Sequence, residues 1–140
     1  TSTTYIIIGD GETQEGQVWE GVQFLAHNKL DNVIIFVDKN KRQLDGMTEE
    51  ICNSFDLVAK FKAFGVESFA VDGHSVEEIY NGIQKAKEAK RPTVIVINTE
   101  KGHGCNFAEI KGFNHYMIIS HEMADGAVAE IDNRLEKALC

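Results

Sequence analysis

Two oxygen-bearing side chains thirty positions apart, Asp10 and Asn40, are the residues of this sequence best placed to do chemistry. Each follows a short apolar, β-branched run: residues 5–8 stop at Gly9-Asp10-Gly11, and residues 32–37 lead into Asp38-Lys39-Asn40. A carboxylate and an amide oxygen are hard donors, the kind Mg²⁺ and Ca²⁺ take. Mg²⁺ seldom receives a full protein cage, so two side chains would leave coordination positions for water and phosphate oxygens. That pairing points to a diphosphate ligand. Gly9 and Gly11 let backbone approach such a ligand, and the amides opening the next helix would add partial positive charge.

The elements around these residues must deliver them to one place. Residues 15–30 are long enough for a crossover helix, with Val18, Gly21, Val22, Leu25 and Ala26 at three- and four-residue spacings facing the sheet. Strand, helix and strand in this length make a right-handed βαβ unit, with both strand ends on one edge, where open α/β sheets bind ligands. The first run, 5–8, reads as a buried strand. Trp19 reads as packing.

Further along, acidic Glu49-Glu50 and then Leu57, Val58, Phe61 and Phe64 read as helix from Thr48 to Gly65. Residues 66–71 are strand-like, closed by Asp72-Gly73-His74, where turn geometry accounts for the histidine. Ser75 and Glu78 form a capping box for a helix that runs to Lys90 and is ended by Arg91-Pro92. Residues 93–99 read as a central parallel strand buried on both faces. Lys101-Gly102-His103-Gly104 follows at its carboxyl end, where a lysine can neutralise phosphate as a point charge. From Met123 to Leu139 the spacing of Ala127, Ile131, Leu135 and Ala138 predicts an amphipathic terminal helix.

A chain of 140 residues with 43% apolar content and one proline predicts one domain, residues 1–140, without repeats or linker. The net charge of −8 argues against a general nucleic-acid or anionic-membrane surface. Cys52, Cys105 and Cys140 have no metal-type spacing and read as thiols of a reducing, cytoplasmic compartment. No signal peptide or membrane span is expected.

Gly9-Asp10-Gly11 and Asp38-Lys39-Asn40 do not stand alone. With Glu12, Gln14-Glu15-Gly16, Val18-Trp19-Glu20, Lys29-Leu30-Asp31-Asn32 and Gln43-Leu44-Asp45-Gly46 in register, the sequence resembles the thiamine diphosphate motif of transketolases, over Thr4 to about His115. The resemblance implies an α/β fold, an open, mostly parallel sheet with helices on both faces. It implies thiamine diphosphate with Mg²⁺ (or Ca²⁺), the metal held by Asp10, Asn40 and the backbone carbonyl of Arg42. Gly9, Gly11 and Lys101 would lie at the cofactor, and Glu15 in a network joining two cofactor sites of a dimer. His115 matches a histidine that lies near the diphosphate and touches substrate. Tyr116-Met117-Ile118-Ile119 follows it where the family has glycine and proline, and His121 is the substitute.

In transketolases a further segment precedes this turn and completes the sheet, and a separate pyrimidine-binding domain supplies the activating glutamate. Neither is matched here, so the expected chain is incomplete at its front relative to the family. The expected function is to anchor Mg²⁺ and diphosphate for two-carbon ketol transfer between sugar phosphates, as in the pentose phosphate pathway. A pyrimidine-binding partner chain would complete a dimer or heterotetramer, and the isolated chain would be inactive. Two alternatives stay open: another thiamine diphosphate enzyme, of the 1-deoxyxylulose-5-phosphate synthase or keto-acid dehydrogenase type, and a non-catalytic interaction module that retains the fold.

Overall fold

β-Branched runs build the sheet that carries the site. In a computed structural model, which describes residues 2–109 and 115–139, these runs are β1 (Thr4–Gly9) and β2 (Val33–Lys39), followed by a small hairpin of β3 (Arg42–Gln43) and β4 (Gly46–Met47), then β5 (Glu67–Asp72) and β6 (Thr93–Asn98). The four long strands pair in the order β1-β2-β6-β5, every pair parallel. The register sets Gly9 beside Asp38, and Asn98 beside both Lys39 and Asp72. All four carboxyl ends therefore meet along one edge, with adjacent strands about 4.8 Å apart.

Side chains alternate across this sheet and make two cores. Ile35, Val37, Val94 and Val96 face α1 (Gly16–Asn28) and α3 (Leu57–Ala63), packing with Val22, Leu57 and Phe61. Ile34, Phe36 and Ile95 face the other way, against Ala86, Ile79 and Ile83 of α4 (Val76–Ala89). Helices thus cover both faces, as expected, and β6 is a central strand, beside β2, buried from Thr93 to Val96. Trp19 packs as expected, its ring stacked on Phe61 at 4.9 Å.

The structure departs from the sequence reading in three places. β1 is an edge strand that pairs on one side, with β2; Ile8 packs against the core, but Tyr5, Ile6 and Ile7 are exposed, the last by 74%. The predicted helix from Thr48 is broken into α2 (Thr48–Ile51) and α3. Local hydrogen bonds win there: Asn53 Oδ1 accepts from the Phe55 amide at 2.7 Å, Phe55 takes a left-handed φ of 53°, and Asp56 caps α3 by accepting from the Ala59 amide. At the start of α4, Ser75 Oγ accepts from the Glu78 amide as predicted, but Glu78 reaches the Asp72 amide, at 2.7 Å, and so ties the helix to the end of β5.

Past α5 (Asn106–Glu109) comes α6 (His121–Leu139), two residues longer at its start than its spacing predicted. Ile131 and Leu135 of its apolar stripe stay exposed, while Ala127 is half-buried. Among the described residues no helix is long and apolar enough to cross a membrane.

Ser68 on β5 is fully buried, and its hydroxyl has no hydrogen-bond partner among the described residues. An unpaired buried hydroxyl costs on the order of 1 kcal/mol or more. Ser68→Ala is therefore expected to raise stability by about 1 kcal/mol, read as a higher urea midpoint with an unchanged slope.

Candidate functional site

Asp10 is the buried acid among the described residues, 2% exposed at the tip of β1. Its amide donates to the Asp38 carbonyl at 3.0 Å, which carries the β1–β2 ladder one residue past the strand. The carboxylate is held by three donors: Oδ1 accepts from the Gly11 amide at 3.0 Å, and Oδ2 accepts from the Lys41 amide at 2.9 Å and from Thr48 Oγ1 at 3.2 Å. A carboxylate offers about four lone-pair positions, so one on Oδ1 remains open to a ligand. Lys41 turns its amide toward Asp10 by taking a left-handed φ of 62°.

Asn40, one residue beyond β2, accepts from the Arg42 amide through Oδ1 at 2.9 Å and donates through Nδ2 to Asp38 at 3.0 Å. Asp38 is held in turn by Thr99 Oγ1, which donates to its other oxygen. The tips of β1, β2 and β6 are thus joined through side chains. Among the described residues there is no cluster of three or more His, Cys, Asp or Glu suited to a metal. A carboxylate and an amide oxygen are donors of the hard type that suits Mg²⁺ or Ca²⁺ and keeps positions free for phosphate.

Among the described residues, three clefts open along this edge. Asp10 lines one of about 210 Å³ with Lys41, Thr48, Ser54 and Phe55. Asn40 lines two others, of about 270 and 350 Å³, each with Thr99 and Lys101. Arg42 lines the second and His74 the third. Lys41 borders both the Asp10 cleft and the first Asn40 cleft. The structure thus brings Asn40, Arg42 and Lys101 together, and sets Asp10 in the neighbouring cleft across Lys41.

The glycines serve the turn. The Gly9 amide donates to Glu12 Oε2 at 2.6 Å, and a Cβ on Gly11 would stand 3.0 Å from Gln43 Cβ, so the hairpin packs directly onto this backbone. Glu15 precedes α1 and is exposed, without a capping bond from its side chain. His115 is exposed and does not line these three clefts; residues 110–114 beside it lie outside the described residues. His121 opens α6 and is exposed. Sequence reasoning missed Lys41 and Thr48 and assigned His74 to turn geometry alone, yet all three line these clefts. Thr48 reaches Asp10, and His74 reaches Glu100, through contacts between segments far apart in sequence.

Burial raises the Asp10 carboxyl above the 3.8 of an exposed aspartate, and the nearby Asp38 charge adds to the rise, against the three donors that lower it. Ionising Asp10 therefore costs more in the fold than in the unfolded chain. In the unliganded protein its contribution to stability is complete below about 3.8 and is lost as pH rises through its folded value. We expect a carboxyl-carbon NMR titration of Asp10 to give a midpoint above that of exposed aspartates.

The family of transketolase thiamine diphosphate binding domains matches residues 1–125. The chain is 44% identical over 132 residues to a 6-deoxy-6-sulfo-D-fructose transketolase subunit from a Clostridium species, covering 94% of this chain and 48% of that protein. It is 35% identical to one subunit of the apulose-4-phosphate transketolase of Actinobacillus succinogenes, covering 91% and 46% respectively. The crystal structure of Pichia stipitis transketolase in complex with sedoheptulose-7-phosphate superposes with a TM-score of 0.71 at 26% identity, over 97% of this chain and 24% of that one. The chain spans about half the length of these two relatives. Its parallel sheet, its Gly-Asp-Gly turn and the family match over residues 1–125 together show that it belongs to the thiamine diphosphate binding domain family of transketolases.

Proposed function

We propose that this chain holds Mg²⁺ and the diphosphate of thiamine diphosphate at the carboxyl edge of its sheet, as the anchoring part of a transketolase-type enzyme. A second chain supplies the aminopyrimidine pocket and its activating acid. The observation that supports this reading is that Asp10, Asn40 and Lys101 follow the carboxyl ends of three adjacent parallel strands, β1, β2 and β6, on one edge of the sheet. Asp10, the Asn40 oxygen and the Arg42 carbonyl hold the ion. Lys101 and Lys41 offset phosphate charge, and Gly9 and Gly11 keep the backbone close to it. When bound, the cofactor supplies the carbanion chemistry of two-carbon transfer.

His115 would meet the substrate and Glu15 would face the second cofactor site of a dimer or heterotetramer in the cytoplasm. The substrates are ketoses and aldoses with a terminal anion. Support for this comes from the relatives, whose names carry a sulfonate in one case and a phosphate in the other.

The test is a ketol-transfer assay of the full-length chain with and without a pyrimidine-domain partner. The panel is 6-deoxy-6-sulfofructose, apulose-4-phosphate, fructose-6-phosphate and, as the mark of a different thiamine enzyme, pyruvate. Transfer from a ketose by the pair alone is expected. Turnover by the isolated chain would remove the division of labour, and pyruvate consumption would move the reaction class. No Mg²⁺-dependent cofactor binding by the pair would leave an interaction module.

A further inference from the structure

The loop after β6 that carries Lys101 is gripped from the side by the turn that follows the neighbouring strand β5. His74, in the turn between β5 and α4, accepts the Glu100 amide on its Nε2 at 2.8 Å, and its ring stacks on His103 with centroids 3.7 Å apart. The grip continues on both sides of the histidine. The Gly73 amide donates to the Asn98 carbonyl at 2.8 Å, and a Cβ on Gly73 would stand 2.4 Å from Thr99 Cγ2, so the two segments touch with no room for a side chain. The His74 amide donates to Asp72 Oδ1, and the Asp72 amide donates to Glu78 of α4, which roots the turn in a long helix. On the loop side, the His103 amide donates to the Glu100 carbonyl, and Glu109 accepts from the Gly104 amide and stands 3.6 Å from His103 Nδ1.

We propose that His74 is a positioning residue for the diphosphate site: it fixes residues 99–103 so that Lys101 stays against the cleft it shares with Asn40. This rests on the reading of Lys101 given above. The bond has a chemical requirement. A ring nitrogen that accepts an amide hydrogen carries none of its own, so His74 is neutral with its proton on Nδ1. Lys101 lies between two further sets of restraints: ahead of it the Thr99 amide and hydroxyl donate to Lys39 and Asp38 of β2, and beyond it the Gly104 amide donates to Glu109 of α5, while the His74 bond falls on Glu100, directly beside the lysine. A lysine is a point charge on a flexible stem, and its value at a phosphate depends on the backbone that aims it.

The experiment separates the acceptor from the stack and from mere stability. In the full-length chain assembled with its partner, thiamine diphosphate affinity in Mg²⁺ is measured by calorimetry for His74→Gln, which keeps an acceptor, and His74→Phe, which keeps a ring. Exchange of the Glu100 amide is followed in the same proteins without cofactor. We expect His74→Phe to weaken binding about tenfold and to speed Glu100 exchange, and His74→Gln to restore both to near wild type. Lys101→Met sets the cycle: once the lysine is gone, His74→Phe should weaken binding no further.

Fully additive effects would overturn the proposal, as would wild-type affinity in His74→Phe or failure of His74→Gln to rescue. If Lys101→Met alone leaves binding unchanged, the role given to Lys101 falls, and this proposal falls with it. If the wild-type assembly binds no cofactor, the anchoring reading fails, and the positioning role with it. Glu100 exchange then still reports separately whether His74 holds the loop.

Discussion

Asp10→Ala is expected to weaken Mg²⁺-dependent thiamine diphosphate binding by a hundredfold or more, measured by calorimetry on the chain with its partner. Removing one member of a buried charge pair costs about 2–5 kcal/mol, and every 1.4 kcal/mol is about tenfold in affinity. Among the described residues Asp10 is the one buried carboxylate at this edge, and it is already desolvated, so a cation gains its full attraction. Alanine also orphans the Gly11 amide, the Lys41 amide and the Thr48 hydroxyl, each of which now points at a carboxylate oxygen. Thr48→Val separates the two effects. It removes a single donor while leaving the charge, so it should cost about 1 kcal/mol in stability and less than tenfold in affinity. Equal losses in the two variants would mean that Asp10 serves the turn and not the ion.

How far this site could be read in advance follows from where its contacts come from. Asp10 and Asn40 were legible because a β-branched run ending at Gly-Asp-Gly, a helix-length segment and a second such run fix a βαβ unit, and that unit puts both residues on one edge. The central place of β6 was legible for a related reason: an uninterrupted apolar run suits burial on both faces. The exposure of β1 was not, since its Ile6-Ile7-Ile8 run has the same pattern that a buried strand has. Nor was the break at residues 52–56, where Asn53 and Asp56 compete with the helix through their own side chains.

Contacts set by strand register were the least visible. His74 meets Glu100 because β5 and β6 run parallel with Asp72 beside Asn98, which sets the two turns side by side. Thr48 meets Asp10 only after the hairpin of β3 and β4 has folded back. In each case the residue type suited a local role, helix start for Thr48 and turn for His74, and that local role is what the sequence reading assigned.

The largest loss of stability is expected at Phe61, which is fully buried among Val22, Val37, Leu57, Val94 and Val96. Phe61→Ala should cost about 3–5 kcal/mol, the sum of lost transfer energy and the cavity left by a ring in a core that α1, α3 and the sheet hold apart. The measurement is a urea titration, with a lower midpoint at constant slope. The same ring also bears on the site. Trp19 stacks on Phe61 and donates from Nε1 to the Thr13 carbonyl at 2.7 Å, while Thr13 donates from Oγ1 to the Asp10 carbonyl at 2.6 Å. Core packing thus reaches the Asp10 turn through two hydrogen bonds, and the two substitutions should divide accordingly. Trp19→Phe keeps an aromatic ring against Phe61 and loses the bond to Thr13, so it should cost about 1 kcal/mol in stability yet weaken cofactor binding. Phe61→Ala loses the packing and keeps the bond, so the fraction that remains folded should bind nearly as wild type. If Phe61→Ala instead weakens binding more than Trp19→Phe at equal folded fraction, the turn is held by the pressure of the core and not by the bonds that lead from it.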